Sequence, residues 1–83
     1  MTKKQMVDCI IELFNKNVKT QLSEGQCRYI VYVAIRNNTK EYIEKQYQRI
    51  LEIDETQYTS QDIVKECEKA IWELTYIHIC PCN

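Results

Sequence analysis

The fold class of this chain depends on residues 23–36, which read SEGQCRYIVYVAIR. A helical segment would place four apolar side chains on one face, namely Cys27, Ile30, Val31 and Ala34. A strand would align Tyr29, Val31, Val33 and Ile35, and the β-branched and aromatic content favours this alternative. Ser23 and Gln26, however, match a helix-starting capping box, and no other stretch offers a convincing partner strand. We therefore predict a helix, and residues 27–36 as a strand in an α+β fold are the alternative.

Signals on either side of this segment predict further helices. Before it, Met6, Ile10 and Phe14 recur at the spacing of one helix face, and Thr2 is a candidate N-cap. After it, Thr39 is a candidate cap for a third helix. The inner stripe of that helix consists of four residues: Ile43, Tyr47, Ile50 and Leu51.

The last helix has the clearest pattern. Its apolar residues step by 4, 3, 4 and 3 positions through Ile63, Cys67, Ala70, Leu74 and Ile77. Thr59 and Asp62 offer an N-terminus, and Pro81 stops the helix. The prediction is an all-α fold, a small bundle of about four helices over residues 3–17, 24–36, 40–52 and 60–78. The second of these is apolar on nearly every side, so we expect it to be the central and most buried helix.

Length and composition predict one small domain over residues 1–83. A chain of 83 residues has room for one core, and a single glycine and a single proline favour helices joined by short polar loops. The first residues lack a secretory signal, because Asp8 and Glu12 interrupt the apolar stretch. No apolar run approaches the ~20 residues of a membrane helix. We expect a cytoplasmic protein with no membrane partner.

The net charge of −1 conceals a division along the chain. Residues 1–49 hold nine Lys/Arg and five Asp/Glu, whereas residues 50–83 hold two and seven. One interpretation is that basic and acidic helices pack beside each other. The other is a bipolar surface that steers a charged partner or favours a homodimer.

The basic half suggests a small DNA-binding regulator as an alternative function. Residues 23–36 and 39–51 would then be the paired helices of a helix–turn–helix. The overall pI of 5.8 lies well below the value above 9 that is typical of a dedicated DNA-binding domain. Glu41 and Glu44 would also repel phosphates at the start of the recognition helix. We therefore do not expect direct binding of nucleic acid.

The cysteines and the single histidine suggest a second alternative, a zinc-binding module. His78, Cys80 and Cys82 form an HxCxC pattern whose imidazole and thiolates suit Zn²⁺, although structural zinc sites usually show C-x₂-C spacing and four ligands. A tail with free thiols is the simpler interpretation, and we expect no cofactor. Neither a nucleophile–base pair nor a glycine-rich phosphate loop is evident, so we predict a protein without enzymatic activity.

Aromatic residues outside the apolar stripes are the candidate partner-binding residues. Four lie outside or at the margin of those stripes: Tyr42, Tyr58, Trp72 and Tyr76. Tyrosine and tryptophan are enriched in protein interfaces. The neighbouring acidic stretch, with Glu52, Asp54 and Glu55, completes the predicted contact surface.

In size and in its Lys, Asn, Ile, Glu and Tyr content, the chain resembles small accessory proteins of bacteriophages and other mobile elements. The resemblance implies a helical regulator or stoichiometric inhibitor, of anti-defence type, that binds a larger protein. An acidic surface can compete for a nucleic-acid site, so a host nucleic-acid-binding protein is the suggested partner.

Overall fold

The computed structural model describes residues 1–76 and contains four helices. They are α1 (Lys3–Asn17), α2 (Glu24–Asn37), α3 (Lys40–Leu51) and α4 (Ser60–Thr75). No strand occurs within residues 1–76, so the all-α prediction is confirmed and the strand alternative for residues 27–36 is wrong. The last helix is shorter than predicted: it ends at Thr75 and not at His78, because Tyr76 adopts an extended conformation as its C-cap.

Local capping explains where the helices begin. Every helix starts after a predicted Ser or Thr N-cap, namely Thr2, Ser23, Thr39 and Thr59. At α2 the Ser23 Oγ accepts the Gln26 amide at 3.1 Å, and the Gln26 side chain accepts the Ser23 amide at 2.8 Å. This reciprocal pair satisfies two amides that would otherwise lack a partner. It helps start a helix in a segment whose β-branched residues favour a strand.

The hydrophobic core lies between α1 and α4, which contact each other and both flanking helices. Ile10 from α1 and Cys67 and Ala70 from α4 are fully buried in it. Helices α2 and α3 make few contacts with each other. The expectation that the second helix is the most buried is therefore wrong: α2 buries only Val33 and Ala34, while α1 and α4 bury four residues each.

Polar contacts between the helices show their relative directions. Tyr42 Oη donates to Glu73 at 2.6 Å and Arg49 donates to Glu66 at 3.0 Å, which makes α3 and α4 antiparallel. Lys3 Nζ donates to the Ile35 carbonyl at 3.2 Å, which places the start of α1 beside the end of α2. In the part of the chain that the structure describes, no helix has the length and apolar content needed to cross a membrane.

Candidate protein-interaction surface

An open apolar groove of about 340 Å³ lies where α1, α2 and α4 meet. We call it the Trp72 groove, and its lining residues are Phe14, Leu22, Ile30, Glu68, Ile71, Trp72 and Thr75. Six of these seven are apolar or hydroxyl side chains, and Glu68 is the only charged one. A second concavity shares Leu22 and Ile30 with it and extends the apolar surface to Tyr29. A side chain of a binding partner loses its surrounding water when it enters an apolar depression of this kind.

Trp72 is the more exposed of the two aromatic side chains that line this groove. It is 60% exposed, and its ring stacks on that of Tyr76 with a centroid separation of 5.1 Å and an interplanar angle of 28°. This stacking restricts the rotamers of the Trp72 indole in the unbound protein. An aromatic side chain that is already ordered loses less conformational entropy on binding.

Helical geometry places Trp72 on the outside of α4. The buried stripe of this helix includes Ala70 and Leu74, which are two positions before and two positions after Trp72. At about 100° per residue, both lie roughly 200° around the helix from the indole. The position of Trp72 therefore follows from the periodicity, while the groove beside it depends on how α1 and α2 pack.

The predicted contact residues occupy three separate places. Trp72 and Tyr76 lie at the end of α4, whereas Tyr58 lies in the connection before α4, and the start of α4 at Ser60 is about 18 Å from Trp72 along the helix axis. Glu52, Asp54 and Glu55 are exposed on the same connection. Tyr42 is half-buried between α3 and α4. Its hydrogen bond to Glu73, together with burial, raises the pKa of Tyr42.

The connection between α3 and α4 carries its negative charge in an ordered turn. Asp54 Oδ1 accepts the Thr56 amide at 2.9 Å and the Thr56 hydroxyl at 2.6 Å. These hydrogen bonds lower the pKa of Asp54, so its carboxylate is charged at neutral pH. Glu55 lies 3.7 Å from Lys16, at the end of α1. Glu52 and Asp54 contribute the remaining acidic surface of this connection.

Two exposed tyrosines were absent from the predicted contact set. Tyr29 and Tyr32 on α2 are 66% and 59% exposed, compared with 60% for Trp72. The signal for them was present in the sequence, because neither residue falls on the helical face that runs from Cys27 to Ala34. Both tyrosines are exposed because α2 packs only one narrow face against the other helices.

The basic residues and the cysteines have other contacts in the fold. Four of the basic side chains lie within 4.0 Å of carboxylates: Lys4, Lys16, Arg28 and Arg49. Of the three described cysteines, Cys67 is buried, and burial raises the pKa of its thiol to about 11. A thiol with that pKa is a poor nucleophile at neutral pH.

The predicted metal ligands His78, Cys80 and Cys82 lie outside the described residues. Among residues 1–76, no cluster of three His, Cys, Asp or Glu side chains is arranged to hold a metal ion. Among the described residues, the Trp72 groove combines an exposed, stacked indole with an apolar depression. In comparisons with known proteins, the chain matches no family model, no curated protein and no solved structure.

Proposed function

We propose that this protein is a non-enzymatic binding module, a small regulator or stoichiometric inhibitor that docks on a larger protein through the Trp72 groove. The observation that carries the proposal is the 60% exposed indole of Trp72 beside an apolar groove of about 340 Å³. Isolated exposed apolar residues are common, but an ordered tryptophan next to an apolar depression is typical of a binding surface.

The size of the protein is compatible with this role. A standard interface covers roughly 800 Å² on each partner, which is about one seventh of the 5815 Å² surface of this chain. Within such an interface a few residues supply most of the binding energy, and tryptophan is enriched among them. Truncating a central tryptophan commonly costs at least about 2 kcal/mol, which is about a 30-fold loss of affinity.

The acidic connection supports a partner that normally binds nucleic acid. Glu52, Asp54 and Glu55 are exposed carboxylates on one connection, and a basic surface on the partner would be attracted to them. Charges at the margin of an interface mainly affect the rate of association. We therefore expect the Trp72 groove to supply most of the binding affinity and the acidic connection to increase the rate of association.

The test is a quantitative capture experiment with matched variants. Wild type, Trp72→Ala and Leu51→Ala are immobilised and exposed to an extract of the cells that encode the chain. Leu51, which the sequence pattern wrongly placed in the inner stripe of α3, is 57% exposed and does not line the groove, so it is the control for loss of exposed apolar surface. We expect one protein to be retained by wild type and Leu51→Ala and to be reduced at least tenfold on Trp72→Ala. Equal retention by all three chains would refute the role of the groove.

The steering component has a separate test with the purified partner. Glu52→Gln should lower the association rate constant at low salt and flatten its dependence on ionic strength, while the dissociation rate stays nearly unchanged. An unchanged association rate at low salt would show that the acidic connection does not steer the partner. It would not affect the proposed role of the Trp72 groove.

A further inference from the structure

The outer side of α2 carries a row of polar side chains at four-residue spacing. We call it the α2 face, and it consists of Glu24, Arg28, Tyr32 and Arg36. Residues four apart lie on the same side of a helix, so this row runs the length of α2. Tyr32 is 59% exposed, and the side chains of Arg28 and Glu24 are 73% and 86% exposed. No other helix covers this face within the described residues.

An apolar groove of about 540 Å³ runs beside the α2 face, between α2 and α1. Cys27, Val31 and Ile35 form its apolar part, and each of them is only half-buried. Lys4 and Asp8 of α1, which are 2.8 Å apart, line the opposite side. The helix with the richest apolar sequence thus leaves a continuous apolar strip uncovered.

The side chains of the α2 face contact one another along the helix. Arg28 lies 3.7 Å from Glu24. Arg36 donates a hydrogen bond of 2.6 Å to the Tyr32 hydroxyl, and its guanidinium carbon lies 5.8 Å from the centroid of the Tyr32 ring. The order of charges along the row is therefore negative, positive, aromatic, positive.

We propose that the α2 face is the site at which a second copy of this chain docks, with the two α2 helices antiparallel. If the two-fold axis lies at the level of position 30, Glu24 faces the partner's Arg36 and Arg28 faces the partner's Tyr32. Symmetry forms each contact twice, which gives two ion pairs and two cation–π contacts. Glu24 and Arg36 lie only about 9 Å along the axis from that centre, within reach of long side chains across crossed helices.

The order of charges favours this register over the two in which the two-fold axis lies at position 28 or position 32. With the two-fold axis at position 28, the two Arg28 side chains would face each other. With the axis at position 32, Arg28 would face the partner's Arg36. Both alternatives place like charges together and are disfavoured. The register centred on position 30 is thus the one in which all four residues of the row find complementary partners, and the apolar strip beside the row supplies the area that the pair buries.

A helix pair with flanking contacts is smaller than a standard interface, so the dimer should be weak, with a Kd of about 10–100 µM. The test is sedimentation equilibrium of the full chain at low and high salt. We expect reversible association for wild type and at least a tenfold weaker Kd for Glu24→Arg and for Arg36→Glu, since each change creates two repulsive pairs. The double variant Glu24→Arg/Arg36→Glu should return to within about threefold of wild type.

The control variant is Glu41→Arg, because Glu41 occupies the first turn of α3 as Glu24 does in α2. It perturbs a helix dipole equally and should leave the Kd unchanged. Thermal unfolding is the check that every variant is folded. A chain that stays monomeric to about 1 mM, or a double variant that fails to recover, would overturn the proposal. Loss of the dimer in Trp72→Ala but not in the α2 variants would also overturn it, since the second copy would then occupy the Trp72 groove.

Discussion

Asn38 ties the ends of two helices together, and its replacement by alanine tests how the bundle is closed. The Asn38 side-chain amide donates to the Ala34 carbonyl at 2.9 Å and to the Leu74 carbonyl at 2.6 Å. Both acceptors lie in the last turn of a helix, where carbonyls lack partners within the helix. Lys3 Nζ adds a bond of 2.8 Å to the Asn38 carbonyl. One side chain thus links α2 directly to α4.

The expected cost of Asn38→Ala follows from these two hydrogen bonds. Each is worth about 1 kcal/mol, so the free energy of unfolding should fall by about 2 kcal/mol. A chain of 83 residues has a total stability of about 4–12 kcal/mol, so the variant stays folded. In a domain of this size the loss lowers the Tm by about 8–16 °C.

The assay is thermal and urea unfolding followed by circular dichroism, with Asn37→Ala as the control. Asn37 is the exposed last residue of α2, and its replacement should change stability by less than about 0.5 kcal/mol. Hydrogen exchange gives a local check. The Tyr76 amide bonds the Trp72 carbonyl at 2.8 Å, and it should exchange faster in Asn38→Ala, while the Ile43 amide changes less. If the two variants are equally stable, Asn38 does not close the bundle.

The remaining predictions concern a buried thiol and a helix cap. Cys67 should react with a thiol reagent far more slowly than the half-buried Cys27, measured by peptide mass spectrometry; comparable rates would contradict its burial. The folded thiol has a pKa of about 11 against roughly 8.5 in an unfolded chain, so the folded state binds more protons between these values. Stability should therefore fall as pH rises through that window, and Cys67→Ala should flatten this part of the pH profile. Thr59 Oγ1 accepts the Asp62 amide at 3.1 Å, so Thr59→Ala should lower the free energy of unfolding in urea by about 1 kcal/mol, whereas Thr59→Ser should retain most of it. A Thr59→Ala variant as stable as wild type would show that the cap is dispensable.

Several features of this protein are local and were predictable from the sequence. Helix starts depend on contacts between residues three positions apart, so Ser23 and Thr59 were identifiable as N-caps without knowledge of the fold. The stripe of α4 was equally clear, because a helical period is a property of one segment. The outward position of Trp72 follows from the same period.

The tertiary structure decided how the helices share the core. Residues 24–36 are apolar on nearly every side, yet α2 lies at the flank and buries only Val33 and Ala34. A sequence pattern shows which faces are apolar, but it does not show how many neighbours are available to cover them. The core of this small chain lies between α1 and α4, which contact both flanking helices.

The grouping of surface residues was also decided only in three dimensions. Tyr42, Tyr58 and Trp72 looked alike as aromatics outside the apolar stripes, but the fold places them far apart or against other helices. Tyr42 packs at α4 through Glu73, and Trp72 borders a groove whose other walls come from α1 and α2. Local periodicity determined which side chains lie on the same face of a helix, because it depends on one helix alone. The packing of four helices determined which of them share a surface, because that depends on distances between residues far apart in the chain.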